Sequence, residues 1–446
     1  MHIVLLSGGS GKRLWPLSND TRSKQFLKLL QDNHGNYESM VQRVYRQIID
    51  SGIAPKSIVV TTNAAQQDSI SSQLGDNVEI ILEPERRNTY PAIVLASAYL
   101  AFKKNCSQEE AVIVLPVDPY AQIEYFHTLK RMEQAVLDGE NDLVLMGIDP
   151  SFPTEKYGYI LPYAGQTAEP LKVEKFYEKP DLETARKLIS EGAKWNGGVF
   201  AFKLGYLINI LKNILHFDTY EELYARYGEL SKNSFDYEVV EKANSIGMVS
   251  YKGTWKDLGT WNTLTEEMFS NYIGEKIIIG ENSNNTHVIN ELNIPILVLG
   301  ANNMVVAASA DGILVSDKES SKYLKSYVDR IEQRPMFEER RWGEYKVIDF
   351  NTYDKTQTLT KHMFIKEGKN ISYQTHSMRD EIWTIIDGTG DLLIDGHIRN
   401  VRRGDVAYII KGQKHALKAT TDLHFIEVQI GEQLIEEDVE RFEWAW

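Results

Sequence analysis

A glycine-rich turn followed by two cations stands near the start of the chain, in the stretch IVLLSGGSGKRLWPLSNDTRSKQFLKLL at residues 3–30. Residues 3–6 form a short apolar run, the pattern of a strand buried on both faces. Gly8, Gly9 and Gly11 keep the next turn free of side-chain bulk, so its backbone N–H groups are able to approach a phosphate closely. The pattern predicts a strand that leads into an anion-binding loop.

Arg13 and Lys24 supply positive charge after this loop. Arginine offers a planar fork that suits phosphate oxygens, and lysine offers a point charge. Two commoner nucleotide motifs are excluded. Leu6 and Arg13 stand where a Walker A loop needs a glycine and a hydroxyl, and Leu14 stands where a dinucleotide fingerprint needs its third glycine. The loop predicts a phosphate cradle of another kind, with a surface turn and solvated cations as the alternative.

Asp118 and Asp257 are candidate metal ligands. Asp118 directly follows an apolar run at 111–117, at the carboxyl end of a predicted strand, where open α/β sheets place groups that handle ligands. Asp257 lies in GTWKDLGTW, between two tryptophans and two glycines. Each aspartate alone is more often a turn cap. Beside a phosphate-binding loop, the two carboxylates suit Mg²⁺ on a triphosphate.

Glu178 and Lys179 form a further polar pair, just before Pro180 in FYEKPD. Proline disfavours helical geometry at the residue before it, so we expect an extended segment that presents both side chains. The carboxylate is able to accept hydrogen bonds from sugar hydroxyls, and the ammonium to meet a phosphate. An exposed ion pair is the alternative interpretation.

The elements that must position these residues follow from the pattern of apolar runs. The runs that predict strands are 57–62, 78–82, 111–117 and 142–148, and those that predict helices include 90–104 and 182–191. This alternation is typical of an α/β domain whose mostly parallel sheet is covered by helices on both faces. Residues 271–338 carry short apolar pieces that predict a small β connector, and residues 339–446 show the short strands and Asp-Gly turns of a β-barrel or sandwich.

Composition limits the class of protein. The chain has 446 residues, a formal net charge of −14 and one cysteine, Cys106. This length predicts two or three domains. One cysteine excludes an intramolecular disulfide, and without a signal-like segment or a long apolar span we expect a cytoplasmic protein with no membrane partner. The negative charge argues against nucleic-acid binding, which needs a basic surface.

The order of the motifs resembles that of the sugar-nucleotide pyrophosphorylases, and most closely that of the mannose-1-phosphate guanylyltransferases of the long bifunctional type. The matching stretches are GGSGKRLWPLS with KQFLKL, RRNTYPAIVLA, VLPVD, GIDPSFPTEKYGYI, FYEKPD, WNGGVFAF, SFDYEVVEK and GTWKDLGTWNTL. The resemblance implies a Rossmann-like, GT-A-like nucleotidyltransferase domain at 1–270, a β-helix-like connector at 271–338 and a cupin domain at 339–446. It also implies that GTP and mannose 1-phosphate react to give GDP-mannose, for polysaccharide biosynthesis, and pyrophosphate.

The same resemblance assigns roles to individual residues. The catalytic residues that it implies are Arg13, Lys24, Asp118, Lys179 and Asp257, of which Asp118 and Asp257 would hold Mg²⁺. The nucleotide-binding residues that it implies are Gly8, Gly9, Gly11, Glu83 and Asn88, and the sugar-binding residues are Gly158, Glu178 and Asn196. The implied reaction is in-line attack by the sugar phosphate on the α-phosphorus of the triphosphate.

Two stretches near the end, GKNISYQTHSMRDEIWTIIDG and GDVAYIIKGQKH, resemble the two motifs of the cupin barrels, which in this family carry phosphomannose isomerase activity. Met378 stands where cupins have their second metal-binding histidine, and a thioether is a poor ligand for Zn²⁺. Gln374 is two positions before His376 on one predicted strand, so the two side chains should project to the same face. Gln374 is therefore a candidate substitute for the missing second histidine. Gln374, His376, Glu381 and His415 therefore form a candidate site for Zn²⁺ or another divalent metal. A cupin that has lost its metal is the alternative.

Three other interpretations stay open. Four positions differ from the family's usual residues: Lys12, Ser23, Pro119 and Gly197. The substrate could therefore be a different sugar 1-phosphate or a triphosphate with a different base. The altered cupin motif leaves a non-catalytic sugar-nucleotide sensor, or a mannose-6-phosphate isomerase that works through the cupin domain. The sequence also leaves a homo-oligomer open, because Trp444 and Trp446 near the end suit a contact within the barrel or between subunits.

Overall fold

The structure is a computed structural model that describes residues 1–9, 11–19 and 21–446. The chain divides into two compact units. Unit 1 is Met1–Ser10 with Gln25–Phe269, and unit 2 is Gly11–Lys24 with Ser270–Trp446. Within the described residues, no helix has both the length and the apolar character that a membrane crossing requires.

Unit 1 contains thirteen strands and nine α-helices among its described residues. They are, in chain order, β1 His2–Ser7, β2 Leu30–Gln31, β3 Tyr37–Glu38, α1 Met40–Asp50, β4 Ile58–Asn63, α2 Ala64–Leu74, β5 Glu79–Glu83, α3 Thr89–Ala98, β6 Ala111–Pro116, β7 Pro119–Ala121, α4 Ile123–Leu137, β8 Leu143–Ile148, β9 Tyr159–Pro162, β10 Leu171–Tyr177, α5 Leu182–Ser190, β11 Lys194–Lys203, α6 Leu204–Ile214, α7 Tyr220–Ala225, α8 Phe235–Glu238, β12 Ile246–Tyr251, β13 Trp255–Asp257 and α9 Trp261–Thr265. The predicted strands and helices named above are all present, with ends shifted by a residue or so, except that α3 continues as a π-helix at Tyr99–Lys103.

Nine of these strands form one sheet, in the order β5-β4-β1-β6-β11-β8-β12-β10-β9. The β5, β4, β1 and β6 strands are parallel, as the sequence predicts. The sheet departs from the predicted mostly parallel arrangement at two strands: β11 runs antiparallel to both β6 and β8, and β10 runs antiparallel to β9 and β12, whereas β8 and β12 pair in parallel. A buried apolar run has the same periodicity in either direction, so the sequence pattern does not encode strand orientation.

Side chains on opposite faces of the sheet enter two separate cores. Ile3 and Leu5 of β1 pack in a cluster with residues of α1 and α4, whereas Val4 packs in a cluster with residues of α3 and α6. The alternation follows from the two-residue period of a strand. Helices thus cover both faces, and the carboxyl ends of the parallel strands remain available at one edge.

Unit 2 begins with a small connector built on parallel pairs. Its elements are β14 Tyr272–Gly274, β15 Ile277–Ile279, β16 His287–Asn290, β17 Ile296–Val298, β18 Met304–Ser309, β19 Gly312–Asp317 and α10 Leu324–Val328. Successive coils stack in parallel, and two asparagine pairs join one coil to the next: Asn284 Nδ2 donates to Asn302 Oδ1 at 3.1 Å, and Asn285 Nδ2 to Asn303 Oδ1 at 2.8 Å. The division of the chain into a β-helix-like connector at 271–338 and a cupin domain stays a prediction.

The rest of unit 2 is a sandwich of two antiparallel sheets. Its strands are β20 Phe337–Arg340, β21 Gly343–Tyr353, β22 Thr356–Ile365, β23 Tyr373–Thr375, β24 Arg379–Asp387, β25 Thr389–Ile394, β26 His397–Arg402, β27 Val406–Ile409, β28 His415–Ala419, β29 Leu423–Gly431 and β30 Glu440–Phe442. The sheet orders are β20-β21-β22-β29-β24-β27 and β26-β25-β28-β23-β30. Trp383 and Phe425, whose ring centroids are 5.2 Å apart, lie in the core between them.

Candidate functional site

A cavity of about 360 Å³ lies in unit 1 where β1, β4, β5 and β6 end. Its lining combines backbone turns with polar and apolar side chains from these strand ends and from the start of α3: Leu6, Gly8, Gly9, Gln25, Thr61, Asn63, Glu83, Arg86, Arg87, Asn88, Thr89, Ala92, Pro116, Val117 and Asp118. Ligands of open α/β sheets bind at the carboxyl ends of the strands. The structure therefore brings Gly8, Gly9, Glu83, Asn88 and Asp118 to one cavity.

The turn after β1 is open, as an anion-binding loop requires. A Cβ at Gly8 or Gly9 would have no atom within 4 Å, and Gly9 has φ +127°, a conformation that favours glycine. Gln66 Nε2 donates to the Gly9 carbonyl at 3.2 Å and fixes the turn from the side of α2. The backbone of Gly8 and Gly9 is thus accessible to a phosphate.

The N-terminus of α3 borders the cavity. Asn88 has φ +81°, and its side chain caps the helix by accepting a hydrogen bond from Thr89 N at 2.8 Å. The positive end of the helix dipole favours negative charge here. Glu83 lies beside it and accepts a hydrogen bond from Tyr227 Oη at 2.8 Å, and burial raises the pKa of this carboxyl.

Arg86 and Arg87 also line the cavity, and neither was singled out from the sequence. Arg87 pairs with Glu85 at 2.9 Å and donates to the Leu230 carbonyl at 2.9 Å. The RRNTYPA stretch that precedes α3 is the signal that could have indicated them, because two arginines stand just before a helix N-terminus. The cavity therefore has more positive charge than the sequence analysis assigned to it.

The two candidate magnesium ligands lie at one end of a small ladder, Asp257 as the last residue of β13 and Asp118 directly before β7. The β13 strand pairs antiparallel with β7, which places Asp257 opposite Pro119. Asp118 directly precedes Pro119, so the ladder brings the backbones of the two aspartates close together. Carboxylate oxygens are the donors that Mg²⁺ prefers, and the pair fits the ion. The two groups are far apart in the sequence of unit 1.

Gly158, Glu178 and Asn196 meet in a second polar cluster of unit 1. A Cβ at Gly158 would lie 2.7 Å from Glu178 Oε2 and 3.3 Å from Asn196 Cβ, so only glycine allows this approach. Asn196 N donates to the Gly158 carbonyl at 2.8 Å. The side chain of Glu178 is 5% exposed. The three residues assigned to the sugar are thus brought together by the structure.

Lys179 extends this cluster towards solvent. Its Nζ pairs with Glu178 Oε1 at 2.6 Å, and its side chain is 54% exposed. The extended conformation expected for Lys179 is wrong, because its φ is +47°. Pro180 does exclude the right-handed helical region, but the backbone takes the left-handed alternative. The ammonium is nevertheless available to a phosphate.

Asp236 is a member of this cluster that sequence reasoning missed. Its Oδ1 accepts a hydrogen bond from Asn196 Nδ2 at 2.7 Å. Burial, followed by the negative charge of Glu178, raises the pKa of Asp236 from 3.8 to about 6. The SFDYEVVEK stretch was noticed, yet no spacing within it indicated that its aspartate would reach Asn196 across 40 residues.

Arg13, Lys24 and Gly11 belong to the Gly11–Lys24 segment, which forms part of unit 2. Arg13 is exposed in a short 3₁₀ turn, and Lys24 is half-buried at the start of another. A Cβ at Gly11 would collide with the backbone of Ser23, so glycine allows the two ends of the segment to meet. The two cations thus lie near the ends of one closed segment.

The cupin sandwich contains a buried polar centre. Ligand atoms of His376, Glu381 and His415 all lie within 4.8 Å of one another. His376 Nδ1 is 2.5 Å from the Asp438 carbonyl and His415 Nδ1 is 3.0 Å from the Gln413 carbonyl, so each Nδ1 donates and each Nε2 presents a lone pair. Burial lowers the pKa of both imidazoles, which favours the neutral form that binds metals.

This donor set fits a divalent metal. His415 Nε2 is buried, has no hydrogen-bond partner among the described residues, and lies 3.5 Å from Glu381 Oε2. Two imidazole nitrogens and a carboxylate oxygen suit Zn²⁺ or a similar ion. Gln374, the fourth expected ligand, is adjacent, but its Oε1 accepts from Ser372 at 2.8 Å and its Nε2 contacts His376 Nε2 at 3.3 Å.

Arg379 brings a protein cation to the same centre. Its Nε donates to Glu381 Oε1 at 2.9 Å, and its Nη2 donates to His376 Nε2 at 3.1 Å. Burial raises the pKa of Glu381, but the charges of His415, His376 and Arg379 outweigh it and hold this pKa below the usual value. The guanidinium thus engages two of the three groups that would bind a metal.

Comparisons with known proteins bear on both units. A family model described as nucleotidyl transferase matches residues 2–271, and one described as mannose-6-phosphate isomerase C-terminal matches residues 329–444. Proteins of both kinds typically use divalent metals.

Relatives match the whole chain. A mannose-1-phosphate guanylyltransferase of Escherichia coli (strain K12) is 30% identical, over 99% of this chain and 98% of its own length. The xanthan biosynthesis protein XanB of Xanthomonas campestris pv. campestris (strain B100) is 30% identical, over 99% and 97%. A crystal structure described as mannose-1-phosphate geranyltransferase from Thermus thermophilus is 28% identical, with a TM-score of 0.61, and covers 74% of this chain and 99% of that one.

Proposed function

The chain belongs to the nucleotidyl transferase family, and from this membership we propose that it transfers the guanylyl group of GTP to mannose 1-phosphate, giving GDP-mannose and pyrophosphate. It is a nucleotidyltransferase, and the predicted fold class, an α/β nucleotidyltransferase domain with a cupin-type C-terminal domain, is confirmed. Its product serves polysaccharide biosynthesis, the process named in the XanB relative. We expect the reaction to take place in the cytoplasm.

The observation that carries the proposal is that unit 1 holds two complementary binding regions. One is the cavity with the open glycine turn and the N-terminus of α3, which suits a nucleotide phosphate. The other is the cluster of Gly158, Glu178 and Asn196 with the exposed ammonium of Lys179, which suits a sugar that carries a phosphate. A nucleotide and a sugar phosphate are the two substrates that the reaction requires.

In the proposed reaction, an oxygen of the sugar phosphate forms a bond to the α-phosphorus of GTP, and the bond from that phosphorus to the oxygen of the β-phosphate breaks. Lys179 holds the attacking phosphate. Glu178 accepts hydrogen bonds from sugar hydroxyls, and the Asn196 amide exchanges hydrogen bonds with them. Arg13 and Lys24 offset the charge that develops on pyrophosphate, and Gly8, Gly9, Gly11, Glu83 and Asn88 bind the nucleotide. Positioning and charge neutralisation supply the catalysis, with no covalent intermediate.

Magnesium is the metal that we propose for this reaction. Asp118 and Asp257 would hold it, since Asp257 pairs with Pro119, the residue that directly follows Asp118. When bound, Mg²⁺ would neutralise charge on the triphosphate.

Pyrophosphate release tests the proposal. The purified protein is supplied with Mg²⁺ and with GTP, ATP, CTP or UTP against mannose 1-phosphate and related sugar phosphates. We expect turnover confined to GTP and mannose 1-phosphate. Asp118→Asn should lower kcat by about a hundred- to thousand-fold, the loss typical of one electrostatic group, whereas the exposed Asp138→Asn should keep it. Turnover with another triphosphate or sugar phosphate would change the proposed product. No turnover with any combination of substrates would favour the non-catalytic sensor.

A second candidate function is favoured by the cupin centre. The buried His415 Nε2, which has no hydrogen-bond partner among the described residues, lies close to the ligand atoms of His376 and Glu381, and this donor set suits Zn²⁺ or a similar ion. The match to the mannose-6-phosphate isomerase C-terminal model favours isomerisation of mannose 6-phosphate. Interconversion of mannose 6-phosphate and fructose 6-phosphate with added metal, lost in His415→Ala, would support it. No interconversion with Zn²⁺, Co²⁺ or Mn²⁺ would exclude it.

A further inference from the structure

The Gly11–Lys24 segment is bound by residues that follow it far later in the chain. We propose that three contacts position this segment for nucleotidyl transfer, so that the connector takes part in the transferase reaction. The three contacts, which we call the segment anchor, join Arg22 to Glu291, Asn19 to Asp311 and Trp15 to Gly312. The proposal rests on the proposed function, because the segment carries Arg13 and Lys24.

The ion pair of Arg22 and Glu291 is the strongest part of the anchor. Arg22 Nη1 donates to Glu291 Oε2 at 2.8 Å, and Nη2 donates to Oε1 at 3.0 Å. The guanidinium also lies 4.7 Å from the centre of the Phe337 ring. The side chains are 16% and 32% exposed, so solvent screens this pair less than a surface pair. A two-pronged pair under an aromatic ring fixes orientation as well as distance.

A buried aspartate holds the middle of the segment. Asp311 Oδ2 accepts from Asn19 Nδ2 at 2.9 Å, and its Oδ1 accepts from Met336 N at 2.8 Å. Asn19 in turn accepts from Arg22 N at 2.7 Å, which closes the turn between the two anchor points. Ser309 Oγ donates to the Pro16 carbonyl at 2.7 Å. These bonds tie a turn of the segment to the connector at separate places.

The Trp15 ring packs directly on a glycine of the connector. A Cβ at Gly312 would lie 2.6 Å from Trp15 Cζ2, and Gly312 has φ +148°. The absence of a side chain lets the indole lie against the backbone. Trp15 is two residues after Arg13, and Arg22 is two residues before Lys24. The anchor therefore holds the segment at two positions, each two residues from one of its two proposed catalytic cations.

The position of these contacts argues for a role in the reaction. A contact that merely stabilised the fold would not need to lie beside the two cations. Small displacements of groups that hold a substrate are costly, since about 1 Å of misplacement lowers rates by about a hundredfold. Residues of the anchor touch no reacting atom, so they are positioning residues and not catalytic ones.

A double-mutant cycle on the ion pair tests the proposal in the full-length protein. Arg22→Met and Glu291→Met are made singly and together. Each single variant should lose about tenfold or more in kcat/KM for GTP, with the KM for mannose 1-phosphate within about twofold of wild type. The double variant should be no worse than either single one, because it leaves no half-buried charge without its partner.

The matched control is the long-range pair of Lys203 and Glu109 in unit 1, whose Nζ and Oε2 are 2.8 Å apart. Lys203→Met and Glu109→Met should leave both kinetic constants unchanged. The proposal would be overturned if Arg22→Met and Glu291→Met kept the wild-type kcat/KM for GTP. It would also be overturned if the KM for GTP and the KM for mannose 1-phosphate rose equally. If a Met variant does not fold, Arg22→Lys replaces it. We then expect a smaller loss of kcat/KM for GTP, and the same two outcomes would overturn the proposal.

Limited proteolysis separates this proposal from the proposed function. Trypsin cleaves after Arg13 and Lys24, and Glu291→Met should accelerate cleavage there compared with wild type and with Glu109→Met. If wild-type protein turns over no pair of substrates, the proposed function fails, and the cleavage rates still report on the anchor. Equal cleavage in the three proteins would show that the pair does not hold the segment.

Discussion

Asp236 is the half-buried carboxylate that supports the proposed sugar-binding groups. Its hydrogen bond with Asn196 orients that amide, and its burial explains a pKa of about 6. A carboxyl whose pKa rises on folding prefers its neutral form in the folded state. The contribution of Asp236 to the free energy of unfolding should therefore be largest near pH 4 and fall as the pH rises through about 6.

Asp236→Asn removes this pH dependence, since asparagine stays neutral. Between pH 4 and pH 7.5 the wild type should lose more free energy of unfolding than the variant, by up to about 3 kcal/mol at about 1.4 kcal/mol per pKa unit. Urea unfolding at the two pH values measures the difference, with Asp138→Asn expected to follow the wild type. Parallel pH dependence in wild type and Asp236→Asn would contradict the assignment.

Arg379 is the residue that decides whether the cupin centre is open to a metal. Arg379→Met withdraws the guanidinium from His376 and Glu381. Co²⁺ should then bind about tenfold or more tightly than in wild type, because two donors lose a competing cation. The visible absorption of bound Co²⁺ reports affinity without any activity assay, and the exposed Arg399→Met is the control. Equal affinity in all three proteins would show that the guanidinium does not compete.

At the scale of elements, the alternation of apolar runs was sufficient to predict the strands around the nucleotide cavity. Asp118 was found because a buried strand ends just before it, and this logic holds for any parallel strand. The antiparallel course of β11 was not predictable, since a fully buried strand reads alike in both directions. Asp236 was missed for a related reason: its partner Asn196 lies on another element, and local spacing does not encode contacts between elements.

Gly158, which directly precedes β9, packs closely against Glu178. Gly158→Ala places a Cβ 2.7 Å from Glu178 Oε2, so Glu178 must move. We expect the KM for mannose 1-phosphate to rise about tenfold or more while the KM for GTP stays unchanged. Gly165→Ala is the control, because its Cβ meets nothing within 4 Å although φ is +80°. An equal effect on both substrates, or none, would count against a sugar-binding role.

At the scale of the whole molecule, the chain interleaves its two units. The glycine-rich turn after β1 starts in unit 1. The Gly11–Lys24 segment, which carries Arg13 and Lys24, belongs to unit 2, and the chain returns to unit 1 at Gln25. Sequence motifs predicted the chemistry of this segment but not its attachment, because Glu291 and Asp311 lie in the connector with no motif of their own. The domain limits at residues 270 and 338 stay predictions.

Single-turnover pyrophosphate release tests the central claim most directly. The enzyme is mixed in excess over GTP with Mg²⁺, once with mannose 1-phosphate and once without it. Direct in-line transfer predicts release of pyrophosphate together with GDP-mannose only when mannose 1-phosphate is present. Release without the sugar phosphate, or no release in either case, would contradict the account.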